Sequence, residues 1–335
     1  MEERGLDVKA MLSHLPRVGI AHLPTPLEEM PRLSRELRGP RLFIKRDDQT
    51  GLATGGNKTR KLEFLVADAL AQQATTLITT GAAQSNHCRQ TAAAAAKFGL
   101  RAVLVLSGEP PDDWTGNLLL DTLLGAEVRW TRGREREDVM AEVAEEERMA
   151  GRVPYVVPYG ASNAIGATGY VAALAELVEQ LTERSLQVQR IVFASSSGGT
   201  QAGLVVGAKA FGFSGRIEGI SVDKTRPVLR ETVLRLAAKT AARVGLRSTF
   251  TPMEITIRDE YLGEGYGIMG DAEREAIRLV AQTEGILLDP VYTGRAMAGL
   301  MDLVRQGVYR PDETIVFWHT GGIPALFAYR DGLLT

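Results

Sequence analysis

Glycines and small hydroxyl residues gather at four points of this chain, each beside a candidate helix start, and these points carry its chemistry. The run Ser195-Ser196-Ser197-Gly198-Gly199-Thr200 follows the β-branched stretch RIVFA and precedes a helical pattern. Such a turn aims several backbone N–H groups and hydroxyls at one anion, at the positive end of a helix. A plain tight turn is the simpler use of paired glycines, but this density of serine, threonine and glycine favours a phosphate cup. The loop contains no lysine and no aspartate run for magnesium, so a phosphate monoester suits it better than a nucleoside triphosphate.

The run Gly51-Leu52-Ala53-Thr54-Gly55-Gly56-Asn57-Lys58-Thr59 nearly spells a P-loop, but Asn57 stands between the glycine and the lysine. A P-loop lysine must follow that glycine directly to reach the β- and γ-phosphates, which demotes an ATP-dependent kinase. Most lysines are surface charges; one placed beyond two glycines and ahead of a helix is suited to a ligand. A lysine kept partly out of water can be neutral and nucleophilic, as a Schiff base requires. Gln84-Ser85-Asn86-His87 lies after the stretch TTLITT, where Ser85 and Asn86 are good helix caps and free N–H groups would take a carboxylate. The fourth cluster is His319-Thr320-Gly321-Gly322, after TIVFW.

The elements that hold these clusters follow from periodicity. Buried strands are expected at 41–45, 75–80, 101–106, 190–194, 216–222 and 314–318. Amphipathic helices are expected at 60–70, 84–98, 164–181, 200–209 and 271–284, and the charge-dense stretch 132–148 reads as a solvated helix face. Strand–helix alternation implies parallel sheets with helices on both faces, and ligands bind outside the carboxyl ends of such strands. The 335 residues suggest about two domains. A composition of 44% hydrophobic and 24% charged residues, net charge −2, is that of a globular enzyme and argues against a phosphate-neutralising nucleic-acid binder. Cys88 is the single cysteine, and with four histidines it gives no metal-ligand spacing; a filler role is expected for it. No apolar run reaches the roughly 20 residues of a membrane span, and the polar N-terminus does not read as a secretory signal. A cytoplasmic protein is expected.

Together, Gly55-Gly56-Asn57-Lys58 with RKLEF at 60–64, Gln84-Ser85-Asn86-His87, Asp289-Pro290-Val291-Tyr292-Thr293-Gly294 and His319-Thr320-Gly321-Gly322 resemble one family. It is the pyridoxal-phosphate (PLP) enzymes that include D-cysteine desulfhydrases and 1-aminocyclopropane-1-carboxylate (ACC) deaminases. The resemblance spans about residues 23–329. It implies PLP fold type II: α/β, two open twisted parallel-sheet domains with helices on both faces and PLP in the cleft between them. The larger domain is expected from 1–59 plus 166–335, the smaller from 60–165, and the protein as a homodimer.

The resemblance also implies roles. Lys58 carries PLP as a Schiff base, next to Asn57. Ser197, Gly198, Gly199 and Thr200 cradle the phosphate, and Asn86 bonds the ring hydroxyl. Ser85, with the backbone around His87, takes the substrate carboxylate. Tyr266 and Tyr292 are the active-site tyrosines, and Thr293, with Thr320, faces the pyridine nitrogen. ACC deaminases have a glutamate at the position of Thr293; a hydroxyl makes a weaker electron sink, suited to expelling a good β-leaving group. The expected reaction is therefore β-elimination from D-cysteine to pyruvate, hydrogen sulfide and ammonia. The stretch 50–59 is equally like the cysteate sulfo-lyases, which makes sulfite release from L-cysteate the alternative. ACC deamination is less favoured, and a catalytically silent PLP carrier is the reading from another class.

Overall fold

The computed structural model describes residues 9, 10 and 12–334. Its strands are β1 (Leu27–Glu29), β2 (Arg41–Arg46), β3 (Thr76–Gly81), β4 (Arg101–Leu106), β5 (Glu127–Trp130), β6 (Pro154–Val156), β7 (Arg190–Ser195), β8 (Arg216–Ser221), β9 (Thr256–Arg258) and β10 (Thr314–His319). One sheet runs β1-β2-β10-β7-β8-β9 and the other β5-β4-β3-β6. All pairings are parallel except β1 with β2. The six strands expected from the sequence are present, each end within one residue of the expected position. The four that the sequence did not announce are β1, β5, β6 and β9, the outer strands of both sheets. Each is three or four residues long and only partly covered, so none carries an apolar run.

The inner strands are buried on both faces, which is why they read as continuous β-branched runs. Phe43, Ile191, Phe193, Val316 and Trp318 join one apolar layer, and their neighbours Leu42, Ile44, Val192, Ile315 and Phe317 join the opposite one. In the second sheet Leu77, Leu104 and Leu106 face one layer. Ile78, Val103 and Val105 meet Val139, Met140 and Val143. Those last three lie on the helix Arg136–Met149, the charge-dense stretch, whose remaining faces are mostly exposed.

The five expected helices are Lys58–Ala71, Asn86–Lys97, Ala164–Glu183, Gly199–Phe211 and Asp271–Glu284. The first is not amphipathic in use: it is buried along most of its length, charged residues included. Each of those charges has its own partner. Arg60 donates to Asp47 at 2.8 and 2.9 Å, to Glu176 at 2.9 Å and to Thr25 Oγ1 at 2.9 Å. Glu63 accepts from the N–H groups of Ile20 and Ala21, both at 2.9 Å. Lys61 donates to the Gly160 carbonyl at 3.1 Å and to Ser162 Oγ at 3.3 Å. Asp47 also accepts from the Tyr170 hydroxyl at 2.6 Å. Burial alone would raise the Asp47 carboxyl, but the Arg60 guanidinium outweighs this and holds it below its usual range. The clamp sits two residues beyond Lys58 and fixes the start of its helix.

Removing one partner of such a cluster leaves a buried charge uncompensated. Asp47→Ala is expected to cost about 3–5 kcal/mol in a guanidinium unfolding titration; a loss under about 1 kcal/mol, the scale of an exposed pair, would show that the clamp does not hold the helix.

Candidate active site

Four loops leave the carboxyl ends of parallel strands and meet at one cavity. β2, β10 and β7 are neighbours running the same way, so the loops carrying Lys58, Thr320 and Ser197 open on one side of their sheet. β3, in the other sheet, leads into Ser85, Asn86 and His87. The cavity is lined by the expected residues Asn57, Lys58, Ser85, Asn86, His87, Ser197, Gly198, Thr200, Tyr292 and Thr320. Tyr159, Gly160, Ala194, Ser195 and Ser196 line it as well, and the sequence did not single them out as site residues of their own. Tyr159 and Gly160 follow β6, an outer strand too short to be read, so nothing in the sequence placed their loop.

Lys58 begins its helix, and its side-chain amine makes no hydrogen bond or ion pair with another described residue. Burial draws its ammonium down from 10.5 to about 8, so a free amine is accessible near neutral pH. The turn before it is built of glycine by necessity: a Cβ at Gly55 would lie 1.9 Å from the Asp48 carbonyl oxygen, at φ +70. Asn57 Nδ2 donates to Thr200 Oγ1 at 3.2 Å, tying the lysine turn to the serine–glycine turn.

In that second turn Gly198 adopts φ +82 and the helix starts at Gly199. Among the described residues the N–H groups of Gly198 and Thr200 reach no acceptor, as the first turn of a helix requires. Gly199 departs from the expectation. It does not line the cavity, and its N–H donates to Ser162 Oγ at 3.2 Å. Ser162 Oγ also lies 2.8 Å from Ser197 Oγ.

Ser85 caps the helix Asn86–Lys97 by accepting from the Cys88 N–H at 3.2 Å, which leaves its own proton for the cavity. The N–H groups of Asn86 and His87 are free in the same turn. The bland and the functional readings of this cluster thus share one geometry. His87 Nε2 lies 2.7 Å from Thr79 Oγ1, whose proton goes to the Val157 carbonyl. The imidazole therefore carries its proton on Nε2. Burial, with Lys58 and Lys61 nearby, pushes its pKa well down, so it stays neutral.

Tyr292 and Tyr266 form a hydroxyl pair at 2.6 Å with edge-on rings. Burial pushes both above the usual phenol range, so both are neutral donors. Tyr266 reaches the cavity only through Tyr292. Thr293 lies outside the lining residues: its hydroxyl donates to Asp289 Oδ1 at 2.7 Å and accepts from the Asp289 N–H at 2.8 Å. It is fully buried away from the cavity, serving the turn that starts the helix Thr293–Arg305. Of the two threonines expected at the ring nitrogen, Thr320 alone lines the cavity.

The donors present suit PLP. Free N–H groups and the Thr200 hydroxyl suit its phosphate, the unpaired Lys58 amine its aldehyde, and the Asn86 amide its ring hydroxyl. The comparisons with known proteins agree. Residues 19–321 match the family described as "Pyridoxal-phosphate dependent enzyme", and the chain belongs to it. It is a PLP-dependent lyase of fold type II, which overturns the kinase reading of the near-P-loop. It is 44% identical over 325 residues to a D-cysteine desulfhydrase of Salmonella typhi, covering 95% of this chain and 98% of that protein. It is 45% identical over 331 residues to one of Klebsiella pneumoniae, covering 96% and 98%. A crystal structure of an ACC deaminase homologue shares 41% identity with a TM-score of 0.90, covering 98% of each chain. At 17% identity and a TM-score of 0.67, an L-serine ammonia-lyase from Rhizomucor miehei shares the fold.

The depressed Lys58 pKa sets a pH dependence. An ammonium cannot attack an aldehyde, so the rate of PLP incorporation into the stripped protein should fall about tenfold per pH unit below about 8 and level off above it. Stopped-flow absorbance across pH 6–10 would measure this; a midpoint near 10.5 would mean that the amine is fully solvated.

Proposed function

We propose that the chain eliminates hydrosulfide from D-cysteine, giving pyruvate, hydrogen sulfide and ammonia. The observation that carries this reading is the make-up of the cavity: one unpaired amine shares it with the Ser85–His87 turn and with Tyr292, which is bonded to Tyr266. The curated relatives from Salmonella typhi and Klebsiella pneumoniae support the same substrate.

In this reading the substrate carboxylate lies against the Ser85 hydroxyl and the N–H groups of Asn86 and His87, at a helix start whose dipole favours an anion. Bound PLP supplies the electron sink that makes the α-proton acidic. Lys58 Nζ, held near a pKa of about 8, takes that proton and can release it again. Tyr292 supports the departing sulfur with its hydroxyl proton, while Tyr266 donates to the Tyr292 oxygen and fixes its direction. The cradle for the phosphate is Ser197, Gly198 and Thr200, and Asn57 holds the Thr200 hydroxyl in place.

Apart from Lys58, the side chains lining the cavity are neutral: hydroxyls, amides and a neutral imidazole. That lining suits a thiol better than the sulfonate of L-cysteate, which needs a cationic contact of its own. At position 293 no carboxylate serves the site, which disfavours ACC. Around this site we place a smaller domain at 60–165 and a larger one at 1–59 plus 166–335, supported by the separation of the strands into two sheets. A cytoplasmic homodimer completes the reading. Exposed Leu119, Leu123 and Phe327, on two helices that pack together, support the dimer. Among the described residues no helix is long and apolar enough to cross a membrane.

The test is a screen of D- and L-cysteine, cysteate, β-chloroalanine and ACC for pyruvate, 2-oxobutyrate, sulfide and sulfite. Sulfide and pyruvate from D-cysteine are expected; sulfite from cysteate as the main reaction would transfer the assignment to the sulfo-lyase. Tyr292→Phe should lower kcat on D-cysteine about 10²-fold, the scale of one positioned proton donor, while PLP content stays at one per chain. An unchanged kcat would strip Tyr292 of its role.

A further inference from the structure

Arg89 and Asn117 lie behind the cavity, outside the set of lining residues, and both are fully buried. Among the described residues Arg89 makes no direct salt bridge, although a buried guanidinium is costly; Asp121 and Asp289 act on it only through space. Its bonds run elsewhere: Nη2 to the Gly55 carbonyl at 2.6 Å, Nη1 to Asn117 Oδ1 at 2.9 Å and to Asn86 Oδ1 at 3.3 Å. Asn117 Nδ2 donates to the Gln84 carbonyl and to Asn86 Oδ1, both at 2.9 Å.

A guanidinium can only donate, whereas an amide can turn either end toward a partner. Arg89 and the Gln84 carbonyl, which can only accept from Asn117 Nδ2, therefore fix the direction of the whole chain. The Arg89 N–H sets Asn117 with Oδ1 toward it, so Asn117 must offer Nδ2 to Asn86. Asn86 then accepts through Oδ1 from both, and its Nδ2 is the end left without a protein partner. Since Asn86 lines the cavity, a donor and not an acceptor faces the ligand. Through Gly55 the same guanidinium holds the turn that precedes Lys58.

We propose that Arg89 and Asn117 are positioning residues that lock the Asn86 amide with its NH₂ group toward the bound PLP, where it meets the ring oxygen as a donor. This rests on the assignment of PLP to the cavity and adds the reason why one amide orientation is present there. Asp121 and Asp289 act on this buried cation only through space; it is retained because a neutral or acidic group in its place would not impose that direction.

The decisive variant is Asn117→Asp. The introduced carboxylate can accept but not donate, so it draws the Asn86 NH₂ group away and turns Oδ1 toward the ligand. Equilibrium dialysis of PLP against the stripped protein should show a Kd at least about tenfold above wild type, and the visible absorption maximum of the reloaded protein should shift. Arg89→Met should do the same, and Asn117→Leu, which frees the amide without reversing it, should raise the Kd by less. In an Asn86→Ala background, Asn117→Asp should have almost no further effect on the Kd, because its target is gone. The proposal is overturned if Asn117→Asp keeps the wild-type Kd and absorption maximum, or if its effect persists in full without the Asn86 side chain; a lowered Tm alone would mark a structural role. Should Arg89→Met fail to fold, the two Asn117 variants decide. Wild-type protein that takes up no PLP would refute the cofactor assignment itself, a separate outcome.

Discussion

An amine held out of water without a carboxylate beside it is the constraint around which this structure is arranged. Lys58 is costly in that state, and the helix it begins would relax if its start were loose. The surroundings prevent this from three directions. Arg60 is clamped by Asp47 and Glu176 two residues beyond it. The Gly55 carbonyl is held by Arg89 three residues before it. Asn57, adjacent to it, is bonded to Thr200. The charges that stabilise the region are therefore displaced from Lys58 itself, and its pKa is set by desolvation with no counter-charge to raise it again.

The same division explains what could be read before any coordinates. Inner strands carry two buried faces, and RIVFA or TIVFW announces itself as an apolar run. Outer strands such as LEE and PYV bury one side at most, and their composition is that of a turn. The clusters Ser195–Thr200, Ser85–His87 and Thr320–Gly322 were legible because the backbone geometry that offers free N–H groups demands glycine and small polar residues. Lys58 was legible for the same reason: its glycines cannot be replaced without a clash, Gly55 at Asp48 and Gly56 at Gln90.

What stayed hidden was hidden because its partners are far away in sequence. Arg60, Lys61 and Glu63 look like the solvated side of an amphipathic helix until Asp47, Gly160 and Ile20 are seen to meet them. Arg89 reads as an ordinary charge on an alanine-rich helix, and only Asn117 and Gly55 reveal its work. Thr293 is a case of the opposite kind: it stands next to a cavity-lining tyrosine in sequence, and the helix that starts there turns its hydroxyl to Asp289. Adjacency along the chain gives a poor estimate of adjacency in the site wherever a helix begins between two residues.

The electrostatic character of the cavity bears on which bond can break. Tyr266 and Tyr292 are buried phenols with raised pKa values, and so they are weaker acids than a solvated tyrosine. Weak acids of this kind give little help to a hydroxide, the conjugate base of water with a pKa of about 15.7, which needs nearly complete protonation to depart. A thiolate, whose parent thiol titrates at about 8.5, departs with far less. Nor, apart from Lys58 itself, does the cavity offer a cation to a sulfonate. A pair of neutral phenols beside one modestly basic amine thus selects for a leaving group that is already stable as an anion and small enough to be bonded by a hydroxyl, and hydrosulfide satisfies both conditions.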